Sequence, residues 1–185
     1  MAPSTHLSLG CFVGFLHSFK YDYYRYTGSY RIGITPLLKD HSLRYLLCLR
    51  AGGGLFRIFR KHLSTKYGIE LGDGSQIARG AYLGHAYGIS INPAAKVGKN
   101  CSFHKGCTIG QENRGGRKGS PVLGERVWVG SGAVVVGAIT IGDDVLIAPN
   151  AFVNCDVPSH SVVIGNPGTV IHRDNATEGY INNCV

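Results

Sequence analysis

The chain has 185 residues, 44% of them hydrophobic and only 16% charged, which suits one folded domain with a buried core. Its formal net charge of +8 favours anionic partners such as a phosphorylated cofactor, but the basic residues are scattered, which argues against a nucleic-acid partner. None of the six cysteines forms a Cys-x-x-Cys pair, so we expect no metal site.

The N-terminal segment has no apolar stretch long enough to span a bilayer, and it lacks the charged start and the cleavage site of a signal peptide. Its apolar residues are Leu7, Cys11, Phe12, Val13, Phe15 and Leu16. We therefore expect a cytoplasmic protein.

Residues 1–66 are predicted to form an N-terminal helical region. Apolar residues recur at intervals of three and four within 37–47, as in an amphipathic helix, and the glycines at 52–54 interrupt the pattern. A second short helix then carries Leu55, Phe56, Ile58 and Phe59 beside Arg57, Arg60 and Lys61. This composition suits a peripheral membrane contact, but packing on the same domain or on a neighbouring subunit is the favoured interpretation for so short a segment.

From Leu71 onward, apolar residues recur every six positions, which neither a helix nor an ordinary strand explains. The series is Leu71, Ile77, Leu83, Ile91, Val97, Phe103, Ile109, Leu123, Val129, Val135, Ile141, Ile147 and Val153. Small or β-branched residues follow four positions later, at Ser75, Ala81, Ala95, Cys101, Cys107, Val127, Ala133, Val145 and Ala151. Short strands joined by tight turns have this period, and stacked triangular coils of such strands pair in parallel. We therefore predict a parallel β-helix over 67–174 and a C-terminal tail over 175–185.

The period is interrupted at two places, and insertions in a solenoid emerge as loops that commonly lie on the binding face. Two extra residues interrupt the period between Leu83 and Ile91, around His85. A longer excursion covers 111–121 and carries several basic residues. These two loops are the first places to look for function.

The chain resembles the hexapeptide-repeat acyltransferases, and among them the serine acetyltransferase-like branch, over about residues 21–172. The resemblance is carried by Leu83–Ile89, Asn92–Gly98, Thr108–Gly110, Val127–Ala133 and Val162–Pro167. It implies a left-handed β-helix, a homotrimer with active sites between neighbouring coils, and acetyl-CoA as co-substrate in the groove. Whether two trimers associate is left open.

In this family the histidine at the position of His85 is the general base. A neutral imidazole can take the proton of a hydroxyl as that hydroxyl attacks the thioester carbon. Glu70 precedes His85 by about one coil, where the family has an acidic residue, and a carboxylate there would orient the imidazole. The alternative for Glu70 is an ordinary solvated charge.

The resemblance also suggests where acetyl-CoA binds. The turn residues along which pantetheine would pass are Gly130, Ser131, Ala148 and Pro149. A backbone N–H near Gly110, or a side chain of the 111–121 loop, would stabilise the oxyanion. Arg173 is a candidate for the nucleotide phosphates, although a solvated surface arginine is an equally good interpretation.

The chain departs from serine acetyltransferases at positions that recognise the amino acid. Those enzymes have Asp before the catalytic histidine and an Arg-His pair before the proline that ends the loop, whereas this chain has Gly84 and Gly119-Ser120. A site without these charges should reject a zwitterion. The loop instead looks like that of acetyltransferases acting in surface-polysaccharide assembly, so we predict a sugar hydroxyl as acceptor.

The candidate substrate-binding residues are Arg114, Arg117, Lys118 and Ser120, which would meet an acidic or phosphorylated saccharide. Three alternatives stay open: a serine O-acetyltransferase with a divergent acceptor site, a sugar N-acetyltransferase, and a non-catalytic trimeric scaffold. His104 is a further candidate, for which a solvent-exposed turn position is the favoured interpretation.

Overall fold

The computed structural model describes residues 9–72 and 76–185, with side chains described from Phe15 onward. Ser75 of the small-residue series, Leu7, and the side chains of Cys11, Phe12 and Val13 lie outside the described residues. None of the helices that the structure describes combines the length and apolar content needed to cross a bilayer.

The described chain opens with the helical region that the sequence predicts: α1 (Leu9–Thr27), α2 (Ile34–Lys39), α3 (His41–Ala51) and α4 (Gly54–Tyr67). Helix α3 begins at a capping aspartate, because the Asp40 carboxylate accepts hydrogen bonds from the N–H groups of Ser42 and Leu43 at 2.7 and 3.4 Å. It ends at Gly52, whose φ of 80° suits glycine better than any other residue.

Short strands follow from Glu70 to the end of the coil. They are β1 (Glu70–Leu71), β2 (Gln76–Ile77), β3 (Tyr82–Gly84), β4 (Ser90–Ile91), β5 (Lys96–Val97), β6 (Ser102–His104), β7 (Thr108–Gly110), β8 (Val122–Leu123), β9 (Val127–Val129), β10 (Val134–Val136), β11 (Thr140–Ile141), β12 (Val145–Ile147), β13 (Phe152–Val153), β14 (Ser161–Ile164) and β15 (Thr169–His172).

These strands form three sheets, and each turn of the coil contributes one strand to each sheet. Sheet A has the order β1-β4-β7-β10-β13, sheet B has β11-β8-β5-β2, and sheet C has β15-β14-β12-β9-β6-β3. Every pairing is parallel except that of β14 with β15. The architecture is therefore the predicted parallel β-helix, with a short N-terminal helical region.

The apolar series of period six lies inside the coil. Leu83, Phe103 and Val129 occupy matching positions on β3, β6 and β9, and none of them is more than 1% exposed. Alternate residues of a strand face opposite sides of a sheet, so the residues flanking each apolar one point outward. The small residues, such as Cys101 and Ala133, are fully buried where the chain bends between sheets. The six-residue period therefore arises because each strand points one apolar side chain into the coil.

The turns from sheet C to sheet A stack into one edge of the coil, here called the C–A corner. It comprises residues 85–88, 105–106, 130–132 and 148–150. Gly88, Gly106, Gly132 and Asn150 each have a positive φ at equivalent places in these turns. The corresponding edge between sheets A and B, the A–B corner, includes the 111–121 loop.

A buried ion pair joins the helices to the coil. Asp22 on α1 is fully buried, and its carboxylate accepts two hydrogen bonds from Arg50 on α3, at 2.7 and 3.0 Å. The same carboxylate accepts the Ala81 N–H at 2.9 Å, and Arg50 also donates to the carbonyl of Ala78 at 2.8 Å. Tyr26 adds a further link through its hydroxyl, which accepts the N–H of Leu83 at 2.8 Å. These bonds hold α1 and α3 in place against the first coils.

The C-terminal residues return across the outer face of sheet C. The Asp144 carboxylate accepts hydrogen bonds from the N–H groups of Ala176 and Thr177, both at 3.1 Å. At the other end, the Val185 N–H donates to Asn100 at 2.9 Å. Residues 173–185 therefore cover part of this face instead of extending into solvent.

Helix α4 leaves an apolar face uncovered. Leu63 is its one buried residue, whereas Leu55, Ile58 and Phe59 are 66%, 67% and 55% exposed. Whether this face contacts a membrane or a neighbouring subunit stays a prediction.

Candidate active site

His85 belongs to an insertion at the C–A corner. The N–H of Gly106 donates to Tyr87 O, and one coil further on the N–H of Gly132 donates to Lys105 O. Tyr87 is therefore equivalent to Lys105, which leaves His85 and Ala86 as the two added residues. His85 has a φ of 49°, which is uncommon for a residue other than glycine, and its side chain is exposed. The insertion thus presents an imidazole to solvent from a well-defined turn.

The inserted turn is anchored by the start of α3. Ala86 is fully buried, and His41 Nε2 lies 3.0 Å from its carbonyl oxygen, at hydrogen-bonding distance. The His41 ring stacks on Tyr67, with centroids 4.0 Å apart, and lies 5.1 Å from the ring of Tyr87. His41 was not predictable as a site residue, because no local pattern in the sequence links a residue at a helix start to a turn so much later in the chain.

Glu70 lies one coil below the inserted turn, at the start of sheet A. It pairs in register with Ser90, the first residue of the strand that follows His85. Its side chain is exposed, and in the described chain no hydrogen bond joins it to His85. Glu70 also lines a cavity of about 620 Å³ beneath α4, together with the basic residues Arg57 and Lys61. The predicted pair therefore shares one region of the coil without direct contact in the single chain.

His104 is not the solvent-exposed turn residue that the sequence favoured. It is the last residue of β6, only partly exposed, and its ring lies 4.6 Å from the ring of Trp128. A Cβ added to Gly84 would lie 2.5 Å from both Cε1 and Nδ1 of His104. Any side chain at position 84 would therefore require the His104 ring to move. Burial, and to a smaller extent the charge of His85, lower the pKa of His104.

Most residues predicted to bind acetyl-CoA share the corner with His85. Gly130, Ser131, Ala148 and Pro149 occupy the C–A corner two and three coils above His85. A Cβ at Gly130 would lie 2.6 Å from Pro149 N, so the close stacking of these turns requires glycine. Closely stacked turns with small residues at Gly130, Ser131 and Ala148 suit an extended pantetheine chain.

Two predicted residues lie elsewhere. Gly110 ends β7 at the opposite end of sheet A, beside the A–B corner. Arg173 is exposed beyond β15, where its N–H donates to the carbonyl of His160 at 2.7 Å, at the far end of sheet C from the C–A corner. Within the described residues, no group of His, Cys, Asp or Glu is placed to hold a metal ion.

The 111–121 loop is ordered by its own contacts at the A–B corner. Glu112 pairs with Gly119 across the loop, and the Arg117 Nε lies 3.4 Å from the Glu112 carboxylate. Ser120 donates its hydroxyl to Asn92 at 3.0 Å. The basic side chains of Arg114, Arg117 and Lys118 are exposed. A whole strand of sheet A separates this loop from His85, so one chain does not bring the candidate substrate residues to the candidate base.

Comparison with known proteins finds one family model and several enzymes that match this chain. A family model described as "Bacterial transferase hexapeptide (six repeats)" matches residues 120–155. A serine acetyltransferase of Helicobacter pylori is 36% identical over 134 residues, which cover 72% of this chain and 74% of the relative. A serine acetyltransferase of Mycobacterium tuberculosis is 34% identical over 139 residues, covering 75% of this chain and 61% of the relative.

Solved structures agree on the fold. A serine acetyltransferase of Neisseria gonorrhoeae in complex with serine has a TM-score of 0.68 at 25% identity, over 86% of this chain and 68% of that one. The soybean serine acetyltransferase apoenzyme has a TM-score of 0.69 at 23% identity, over 87% of this chain and 69% of that one.

These relatives correct the sequence-based choice of acceptor class. The predicted place in surface-polysaccharide biosynthesis, with a sugar hydroxyl as acceptor, is wrong, because relatives at 34% to 36% identity are serine acetyltransferases. The charges that are missing at Gly84 and Gly119-Ser120 therefore do not indicate a different class of acceptor. The chain belongs to the hexapeptide-repeat acyltransferases, in the family that contains the serine acetyltransferases, and is an O-acetyltransferase that uses acetyl-CoA.

Proposed function

We propose that this O-acetyltransferase transfers the acetyl group of acetyl-CoA to the hydroxyl of L-serine. Relatives named serine acetyltransferase at 34% to 36% identity support this acceptor. The observation that carries the catalytic part is the inserted turn, which holds an exposed His85 at the same corner as Gly130 and Ser131. Direct acyl transfer to a hydroxyl requires a base next to the bound thioester, and this corner would hold both.

In the proposed reaction, the neutral His85 imidazole accepts the proton of the serine hydroxyl while its oxygen attacks the thioester carbonyl carbon. The tetrahedral intermediate carries its negative charge on the former carbonyl oxygen. When it collapses, the carbon–sulfur bond breaks, and the CoA thiolate leaves and takes the proton from the imidazolium. Glu70 is proposed to orient the imidazole, which requires its exposed carboxylate to turn toward His85.

We further propose that the site is completed between subunits of a homotrimer. In one chain, His85 lies at the C–A corner and the 111–121 loop at the A–B corner, on opposite sides of sheet A. A neighbouring subunit would bring its loop to His85, and the exposed side chains of Arg114, Arg117 and Lys118 would then face the acceptor's carboxylate. Association of two trimers stays a prediction.

Turnover with purified protein tests the acceptor. Loss of the thioester is followed by its ultraviolet absorbance with L-serine, and with L-alanine, which lacks the hydroxyl, as the matched negative control. Mass spectrometry should identify O-acetylserine. Absence of turnover with serine would refute the proposed acceptor.

The role of His85 is tested in the same assay. His85→Ala should lower kcat by about 100-fold or more with the KM for acetyl-CoA unchanged. His172→Ala is the matched control, because His172 is an exposed histidine on β15. Near-normal turnover by His85→Ala would remove His85 from the role of base.

Subunit mixing tests the shared site. Native mass spectrometry should show a trimer or a multiple of it. His85→Ala chains mixed with Arg114→Ala chains should recover part of the activity that each lacks alone, since some interfaces would pair an intact base with an intact loop. A stable monomer, or mixing without recovery, would contradict the interface site.

A further inference from the structure

Arg25 is a buried cation near the end of α1. It is only 6% exposed, and each of its three side-chain nitrogens donates a hydrogen bond to an uncharged acceptor. Nε donates to the carbonyl of Gly80 at 3.1 Å, one terminal nitrogen donates to the carbonyl of Asn182, and the other donates to the Ser102 hydroxyl at 2.7 Å. A guanidinium has five N–H groups, so one on each terminal nitrogen is left without an acceptor among the described residues.

The charge of Arg25 has no counter-ion in the part of the chain that the structure describes. Arg50 is paired with Asp22, whereas no described carboxylate pairs with Arg25. The ionisable groups that interact with it most strongly are two thiols and two phenols, namely Cys184, Cys101, Tyr26 and Tyr82. Burial raises the pKa of Cys101 to about 12 and also raises the pKa of both tyrosines, so these three groups are uncharged at neutral pH, while Cys184 is an exposed thiol. Arg25 therefore lacks the partner that a buried cation normally has.

Arg25 lines a cavity of about 310 Å³ on the outer face of sheet C. Tyr82 of β3 and Ser102 and His104 of β6 contribute to this cavity, and Tyr180 comes from the C-terminal segment that crosses the same face. Burial lowers the pKa of His104, so its ring is neutral near neutral pH. Arg25 is therefore the one charged group among the described residues that line the cavity. The volume is at the lower end of the range of ligand pockets, which is roughly 300–1,000 Å³.

We propose that this cavity binds a small molecule through its carboxylate, with Arg25 as the cation. A carboxylate has one negative charge and two coplanar oxygens, which match a single guanidinium that has one unpaired N–H on each terminal nitrogen. Inorganic phosphate fits less well, because its further negative charge would meet no second cation among the described lining residues. The carboxylate can belong to the acceptor or to a separate small molecule that acts as an effector, and both would be recognised by the same chemistry.

Trp128 provides a signal for this cavity, because it is the only tryptophan in the sequence. Its ring lies 4.6 Å from the ring of His104 and 5.1 Å from the ring of Tyr180, and both of these residues line the cavity. The tryptophan emission of the wild-type protein should therefore change saturably as sodium acetate is added at constant ionic strength. Acetamide has the same shape without the charge, so it is the matched control and should leave the emission unchanged. Absence of a saturable change with acetate, an equal change with acetamide, or tighter binding of inorganic phosphate would overturn the proposal.

Variants of Arg25 test whether this residue is the cation. Arg25→Gln should weaken the binding of acetate about 10- to 100-fold, as expected for the loss of hydrogen bonds to a charged group, and Arg25→Lys should retain more of the affinity because it keeps the charge. Arg31→Gln is the matched control, because Arg31 is an exposed arginine shortly after α1. Unchanged affinity in Arg25→Gln would refute the assignment. If Arg25→Gln fails to fold, the comparison of acetate with acetamide on the wild-type protein still decides the question.

A competition titration identifies the source of the carboxylate. If L-serine displaces acetate and L-serinamide, which lacks the carboxylate, does not, the cavity takes the carboxylate of the acceptor. If serine leaves the binding of acetate unchanged, the cavity takes the carboxylate of a separate small molecule, and either result supports a carboxylate site. These titrations need no turnover, so protein that binds acetate but does not acetylate serine would refute the proposed function and leave this inference standing.

Discussion

The anchor of the catalytic turn can be tested at His41. His41→Leu removes the group that bonds the carbonyl of Ala86, which is fully buried. A buried carbonyl left without a partner costs about 1–3 kcal/mol. The turn can avoid this cost by moving its carbonyl toward water, and the movement would take His85 away from its working position. If the full cost of about 1–3 kcal/mol is added to the activation free energy of acetyl transfer, kcat falls about 5- to 150-fold, because roughly 1.4 kcal/mol corresponds to a factor of ten in rate.

The assay for this prediction is kcat with serine, measured together with the KM for acetyl-CoA. The residues at the upper C–A corner do not contact His41, so the KM for acetyl-CoA should hardly change. His62→Leu is the matched control, because His62 is an exposed histidine on α4. A kcat for His41→Leu within about twofold of wild type would refute the argument that α3 positions the turn.

Three further predictions concern stability and charge. Asp22→Ala should lower the free energy of unfolding by about 3–5 kcal/mol in urea, because it leaves the Arg50 charge without its buried partner, whereas Glu125→Ala should cost less than about 1 kcal/mol because its ion pair is exposed. A smaller effect for Asp22→Ala than for Glu125→Ala would contradict this view of the helix–coil junction. Glu70→Gln should lower kcat without changing the melting temperature, and an unchanged rate would make Glu70 a bystander. Because the folded-state pKa of His104 lies below its unfolded value, the unfolded chain binds more protons in mild acid, so stability should fall as the pH drops below about 6.5 and should fall less in His104→Leu. Thermal unfolding between about pH 7 and pH 5 measures this difference, and parallel curves for the two proteins would contradict it.

The acceptor site shows why missing residues are weak evidence about a substrate. The sequence lacks an acidic residue at position 84 and an Arg-His pair before Pro121, and from this we expected a sugar acceptor. The His104 ring occupies the space above Gly84, so the change at one position is coupled to a residue one coil away. This packing joins residues that are twenty positions apart in the sequence, so the residue types at position 84 and position 104 have to be considered together.

The sequence by itself determined the coil. A β-helix repeats the same local contacts at every turn, so the inward position recurs with a fixed period, and residues such as Leu83, Phe103 and Val129 are recognisable without a structure. The insertion around His85 was equally visible, because a break in a regular period marks a turn that differs from its neighbours.

Only the tertiary structure decided what surrounds the base. His41 reaches the turn from a helix, and His104 reaches it from the adjacent coil. Both contacts join residues that are distant in the chain. Neither contact belongs to the six-residue repeat from which the coil was predicted. The physical reason is that the sequence repeat reflects contacts that recur in every turn of the coil, whereas the contacts around an active site occur only once in the molecule.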